Sequence, residues 1–312
     1  MSTNTPTDNQ CISAMRDISM LAVKEIRSAR RWRIFFRVIF LLVLGFVFLP
    51  GFWSSYHKVH STHVYVTRLN GIISDTSLFN AHDTIHTIES ALSDPLTRAV
   101  VLLLNSPGGS PVQSKRIHDS VLTLRKQYPN KPIYAVIDDI CASGCYYVAS
   151  AATKIVSSPV SIVGSIGVIM QGFGMVELIK KIGVENRTIA SGKNKDFLDP
   201  FSALNPDHVK IAKDIINKSL SIFANDVKDG RVGKLKGTAE DLFSGRVWIG
   251  ADAVNLGLVD ELGDVDSIVS KDFAGNAVVY QTFEDWPQSF LKKIGYEFTG
   301  NLMNQYLVAH LK

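Results

Sequence analysis

Twenty residues, Ile34–Trp53 (IFFRVIFLLVLGFVFLPGFW), set the first limit on this chain. Coiled as a helix they would extend about 30 Å, the thickness of a bilayer core. Arg37 is the sole charge in the run and sits in its first turn, where a long stem can carry the guanidinium to the headgroups. Trp32 and Trp53 bracket the run as interfacial aromatics do, and Pro50 and Gly51 fall where such a helix would stop. A buried soluble helix is the alternative, but it rarely shows sixteen consecutive uncharged, mostly large apolar residues like Val38–Trp53. A cleaved signal peptide fits less well, because the basic stretch before the run is long and no small-residue cleavage pattern follows.

The charge is placed to match. The 312 residues carry a net +4, and residues 1–37 hold seven Lys/Arg against three Asp/Glu. Residues 38–312 hold 26 basic and 26 acidic groups, so the body is neutral and a nucleic-acid binder is not expected. The positive-inside rule puts the N-terminus in the cytoplasm and residues 54–312 on the far side of the membrane. The expected organisation is a basic cytoplasmic tail (1–33), a transmembrane anchor (34–53), a linker (54–63), an α/β domain (64–280) and a C-terminal tail (281–312). Three cysteines are too few for a disulfide scaffold. His57, His60 and His63, and the pair His82 and His86, have spacings that metal sites use, but a solvated linker and a helix surface explain them, and no metal is expected.

From residue 64 the pattern alternates. Val64–Leu69 reads as a strand, Leu78–Leu92 as a helix, and Ala99–Leu104 (AVVLLL) as a strand buried on both faces. Val112–Arg125 is a predicted helix, Ile133–Ile137 a buried strand, and Ser143–Ala152 a small-residue helix. Ile155–Val156, Ile166–Met170 and Val184–Ala190 read as strands, and Val176–Ile182 and Pro206–Lys228 as helices. This alternation predicts an α/β fold with a largely parallel sheet.

Three segments could carry chemistry. Asn105-Ser-Pro-Gly-Gly-Ser110 follows a buried strand; its backbone N–H groups could hold an oxyanion, or it is a plain turn. In Cys141-Ala-Ser-Gly-Cys-Tyr-Tyr147, Ser143 sits at a strand-to-helix turn between small neighbours, as a nucleophile would, or as a helix N-cap would. Ser191-Gly-Lys-Asn-Lys-Asp196 is a solvated loop unless one of its lysines loses its proton through burial and serves as base. No histidine stands in a Ser-His arrangement.

In this order, these segments resemble the signal peptide peptidase A family of membrane-anchored serine proteases. The resemblance spans about residues 62–270. It also takes in Gly164-Ser-Ile-Gly-Val-Ile169, Gly245-Arg-Val-x-x-Gly250 and Ala253-x-x-x-Gly-Leu-Val-Asp260. It implies a crotonase-like/Clp-protease-like fold and a Ser-Lys dyad. Ser143 matches the nucleophile, Lys195 the general base, and Ser165 the serine that orients the lysine. The N–H groups of Gly109 and Gly144 match the oxyanion hole. It further implies no cofactor, peptide substrates such as signal-peptide remnants, self-association of a single-copy domain, and residence in a bacterial inner (plasma) membrane with the domain outside. Lys193 is the competing amine on physical grounds alone.

The chain departs from the family at Cys145, where a second glycine is usual, and at Cys141. Both are expected to be small buried thiols, with a disulfide between them disfavoured because neighbouring turns of a helix orient their side chains poorly for one. Two other functions fit parts of the pattern: a crotonase-type acyl-CoA enzyme using the same Gly-Gly loop, and a non-catalytic membrane assembly protein. The expected export of the domain argues against the first, and the intact Ser143, Ser165 and Lys195 against the second.

Overall fold

A computed structural model describes Trp32, residues 35–42 and residues 61–281. The chain divides into two compact units, 1–60 and 61–312. In the first, residues 35–42 are helical and their apolar side chains are exposed. Among the described residues no helix is long and apolar enough to cross a membrane. Most of the expected span, with residues 43–53, lies outside them, as do His57, His60 and residues 282–312.

The second unit is built on β1 (His63–Asn70), β2 (Thr97–Ser106) and β3 (Ile133–Ala142), which run parallel side by side. β8 (Ala277–Gln281) adds in parallel to the free side of β1. β3 is long enough to serve two neighbours. Its first half, Tyr134–Ile137, pairs with β4 (Lys154–Ser157), and its end, Ile140–Ala142, pairs with β5 (Ile162–Gly164). β7 (Glu261–Leu262) extends β4, and β6 (Val247–Ile249) closes the far edge antiparallel to β5. The described residues thus form a mixed α/β fold with a parallel-rich sheet, as the alternating pattern predicts.

The apolar runs are read twice by this sheet. Alternate residues Leu102, Leu104, Ile133 and Ile137 pack under α1 (Ala81–Ser93), α2 (Pro111–Gln127), α3 (Gly144–Ser150) and α5 (Pro206–Gly230). The interleaved residues Val64, Val66, Val101 and Val136 pack against Val265 and Ile268 of α8 (Val265–Asp272). A strand covered on both faces must be apolar at every position, which is why β2 contains AVVLLL. Short helices α4 (Val176–Lys181), α6 (Ala239–Leu242) and α7 (Gly250–Asn255) complete the unit. Helix starts follow local chemistry: Asn80 caps α1, Ser110 caps α2 ahead of Pro111, and Asn205 caps α5 ahead of Pro206.

One buried ion pair ties the elements together. Arg231, following α5, is 1% exposed and donates to both carboxylate oxygens of Asp260 (2.7 and 3.1 Å) and to the Gly257 carbonyl (2.6 and 3.2 Å). The Asp260 carboxylate also accepts the N–H of Ile155 on β4 at 2.7 Å. Burial alone would raise the Asp260 carboxyl; the hydrogen bonds from Arg231 and Ile155 outweigh it and hold the group below the usual carboxylate range.

Two predicted strands are corrected. Val184–Ala190 has no regular structure and every residue in it is exposed. Ile166–Met170 is also irregular, the strand lying earlier at Ile162–Gly164. A strand-compatible run of residues is not enough, because a ladder also needs a partner with free backbone groups. β6 already occupies the outer edge of β5, and among the described residues no strand pairs with residues 184–190.

Candidate active site

Ser143 is the pivot. It follows the last residue of β3 and precedes the first of α3, with φ 53° and ψ −120°. For a residue with a Cβ this is a left-handed outlier of the kind that costs about 1–3 kcal/mol and persists only where the surroundings impose it. Here they do. The Ser143 N–H donates to the Gly164 carbonyl at 2.8 Å, and its own carbonyl accepts the Tyr147 N–H at 3.0 Å. Although Ser143 occupies the N-cap position, its side chain makes no capping bond, nor any hydrogen bond with a described residue. The N-cap role is therefore not what this serine does, and its hydroxyl is left for other work.

The Gly-Gly loop lies against this turn. Gly108 and Gly109 have φ of 105° and 149°, and a Cβ on Gly109 would fall 2.2 Å from the Ile73 carbonyl oxygen. Only glycine fits there. The loop is pinned to residue 73 by Ile73 N–H to Gly108 C=O (2.9 Å) and Ser110 N–H to Ile73 C=O (2.8 Å). A Cβ on Gly144 would meet Ser114 Oγ at 2.5 Å and would begin 3.3 Å from the Gly109 nitrogen. The N–H groups of Gly109 and Gly144 are thus neighbours, and neither has an acceptor among the described residues. Two unpaired donors beside an unpaired hydroxyl are what an oxyanion site requires.

These groups open into a cleft of about 880 Å³. Ser143, Gly144, Gly109 and Ser165 all line it. Ser165 stands on its own left-handed residue, φ 52°, with its N–H on the Arg246 carbonyl at 2.7 Å. The walls are largely apolar: Val112 from α2, Ile222 and Phe223 from α5, Val168 and Ile169 from the chain after β5. Lys195 is not among the lining residues. It lies on an exposed turn with no hydrogen bond or ion pair from its side chain to any described residue, while Lys193 faces Asp207 at 3.4 Å. The single chain therefore gathers Ser143, Ser165, Gly109 and Gly144 and leaves Lys195 in solvent.

Sequence reasoning missed a polar cluster in the same cleft. Lys115 on α2 reaches Asp119 (3.1 Å) and Asp226 of α5 (2.9 Å), and the Tyr147 hydroxyl donates to Asp226. The Tyr147 ring stacks on Phe223 at 4.3 Å. Hydrogen bonding to Asp226 raises the Lys115 ammonium; burial, then Asp226, raises the Tyr147 phenol. His118 joins with Nδ1 3.2 Å from Asp119. The Lys115 ammonium already lies between the two carboxylates where a metal ion would sit. The spacing of these residues over three helices gave no local signal. His82 and His86 stand exposed on α1, and His63 is buried in β1, bonded to Thr97 at 3.1 Å and the Ser61 carbonyl at 3.0 Å.

The expectation of two separate thiols is overturned: Cys141 and Cys145 form a disulfide, with Cα atoms 5.0 Å apart. No helix orients this pair: Cys141 is the next-to-last residue of β3, and the left-handed turn at Ser143 folds Cys145 back against it.

With this geometry in place, the comparisons with known proteins are specific. Residues 125–278 match the profile of peptidase family S49. The chain is 30% identical over 203 residues to a putative signal peptide peptidase SppA of Enterococcus faecium, covering 62% of this chain and 58% of that one. It is 33% identical over 187 residues to the putative protease MJ0651 of Methanocaldococcus jannaschii, covering 60% and 59%. It is also 41% identical over 217 residues to a Brucella abortus protein named Na(+)/H(+) antiporter NhaA. That match covers 68% of this chain but 29% of the Brucella protein, and so brings none of the named activity with it. The chain spans less than two thirds of the length of each of these relatives. The matched region contains the Ser143 turn, Ser165 and the 191–196 loop, and the chain belongs to peptidase family S49, with the signal peptide peptidase A proteases.

Proposed function

We propose that this protein is a membrane-anchored serine endopeptidase that cuts signal-peptide remnants and other unfolded, membrane-derived peptides. The observation that carries the reading is Ser143: a hydroxyl free of structural duty, held on a left-handed turn beside the unpaired N–H groups of Gly109 and Gly144. Ser143 Oγ attacks the scissile carbonyl while a neutral lysine amine takes its proton. The two N–H groups receive the developing oxyanion, the protonated amine passes its proton to the leaving nitrogen, and water then releases the acyl group by the same route. Ser165, in the same cleft, orients the amine.

The base is Lys195, supplied by a second copy of the chain. Lys195 is exposed and away from the cleft, whereas a lysine base must be dry to be neutral near pH 7. Residues 167–205 that carry it expose Ile169, Phe173 and Ile189 at 82, 77 and 98%, apolar surface that self-association would cover. Burial on assembly would desolvate the lysine and favour activity at neutral to alkaline pH.

The anchor is residues 34–53, and the domain faces the extracytoplasmic side of a bacterial inner membrane. The buried disulfide supports this, since such bonds form and persist in oxidising compartments. The apolar cleft walls suit an apolar peptide.

The test is a fluorophosphonate probe together with cleavage of an unfolded polypeptide. Wild type is labelled and cleaves; Ser143→Ala does neither; Lys195→Ala loses cleavage and Lys193→Ala keeps it. Mixing and reassembling Ser143→Ala with Lys195→Ala restores part of the activity. Labelling of Ser143→Ala at the wild-type rate would refute the nucleophile, and failure of the mixture to recover would refute the shared site.

A further inference from the structure

We propose that the Cys141–Cys145 disulfide is a positioning device for the nucleophile, so that the proteolytic site described above reaches full activity only in chains that have folded under oxidising conditions. This rests on the serine-peptidase reading. The bond joins the residue two places before Ser143 to the residue two places after it. Four extended residues would reach about 13 Å. Here the ends are 5.0 Å apart, and Ser143 is the apex of the closed loop.

One end of that loop is immobile. Cys141 lies on β3 between Ser106 of β2 and Val163 of β5, paired with both. The other end, Cys145, is wholly buried in the first turn of α3. Between them Ser143 holds φ 53°, which a residue with a Cβ does not choose freely. Two backbone bonds, to Gly164 and from Tyr147, act on Ser143 itself. The disulfide acts on both flanks at once and removes the extended alternatives in which Cys145 would swing away and carry the Gly144 N–H from Gly109. Cys141 and Cys145 touch neither substrate nor reacting atoms in this account; they are positioning residues.

The chemistry is an ordinary exchange. A thiolate of the pair attacks an external disulfide, carried by a small molecule or a protein dithiol–disulfide couple, and releases one thiol. The second cysteine then attacks the mixed disulfide and releases the other. Two electrons and two protons pass from the cysteines to the external disulfide. Both cysteines are fully buried in the folded chain, so the exchange belongs to folding rather than to the finished protein.

The test uses the full chain, purified in detergent without reductant, beside the same chain refolded in a non-thiol reductant and beside Cys141→Ala/Cys145→Ala. Alkylation of the denatured, non-reduced protein should modify one cysteine, Cys11, and all three after reduction. Modification of all three without reduction overturns the proposal. The fluorophosphonate probe should acylate oxidised protein about tenfold faster than reduced protein or the double variant. In peptide cleavage kcat should fall by a similar factor with KM nearly unchanged, read at a temperature where near-ultraviolet circular dichroism shows all samples folded. If the double variant does not fold, reduced wild type, which has the same side chains, supplies the comparison. Equal acylation in both redox states overturns the proposal alone. Oxidised wild type that the probe does not label overturns the serine-peptidase reading and the proposal with it.

Discussion

The segment after Ser143 and the segment around Lys195 are opposites. Residues 144–152 are all buried, held by the sheet, α2 and a disulfide. Residues 181–196 are all exposed and form no strand, and they meet α5 through Lys193–Asp207 (3.4 Å) and Asp196–His208 (4.0 Å). A nucleophile must sit in one geometry relative to its oxyanion donors, and a folded core delivers that within one chain. A base that works only when dry can be kept apart until another surface covers it. Under the proposed mechanism, the contrast makes half of this site a property of the fold and assigns the other half to assembly.

The largest effect should separate the two halves by activity. Ser143→Ala and Lys195→Ala are each expected to lower peptide cleavage by at least about a thousandfold, as removal of a nucleophile or its base does. Melting temperature should move little for either, since neither hydroxyl nor ammonium bonds to the described structure. A large loss of stability in Lys195→Ala would break the comparison, because it would tie Lys195 to the single-chain fold.

Next come changes to the buried half. Gly109→Ala forces a Cβ to within 2.2 Å of the Ile73 carbonyl and should cost both stability and probe labelling; wild-type labelling would show that the loop can move aside. Asp260→Asn leaves Arg231 buried without its counter-charge, and chemical denaturation should show a loss of about 3–5 kcal/mol. The pH dependence has a definite sign. The folded Asp260 carboxyl titrates below its unfolded value of about 3.9, so its stabilisation is complete above that pH and is lost as pH falls through the lower folded value. Acid unfolding should therefore begin below about pH 4, and Asp260→Asn should flatten that limb. An unchanged acid limb would assign it to other carboxylates.

The smallest effect on the chain, though not on the assembly, should be Ile189→Ser. Residue 189 is 98% exposed, so monomer stability should change by no more than about 0.5 kcal/mol. Analytical ultracentrifugation should show weaker self-association and cleavage should fall with it. An unaffected oligomer would place the apolar face of residues 167–205 outside the contact.

Much of the fold was legible because its signals are local. AVVLLL announces a strand covered on both faces, and Asn80, Ser110-Pro111 and Asn205-Pro206 mark helix starts. The resemblance to the signal peptide peptidase A family, carried by short glycine-rich segments, anticipated that Gly109, Ser143 and Ser165 would line one cleft. Val184–Ala190 misled because the residue types of a short segment carry no information about whether a partner strand exists. Lys115, Tyr147 and Asp226 were invisible because their meeting depends on three helices packed on one face of the sheet.

By itself the sequence determined the apolar run at 34–53, the placement of net charge before it, the alternating α/β pattern and the identity of the chemical groups. These are periodicity, composition and spacing, which a linear chain carries. The tertiary structure alone decided that Ser143 takes a left-handed turn with a free hydroxyl, that Cys141 and Cys145 bond across it, and that Lys195 stands apart in solvent. Each of those depends on what a residue meets in space: the Gly164 carbonyl from a neighbouring strand, a helix folded back on the strand before it, and, for Lys195, no part of its own chain's core.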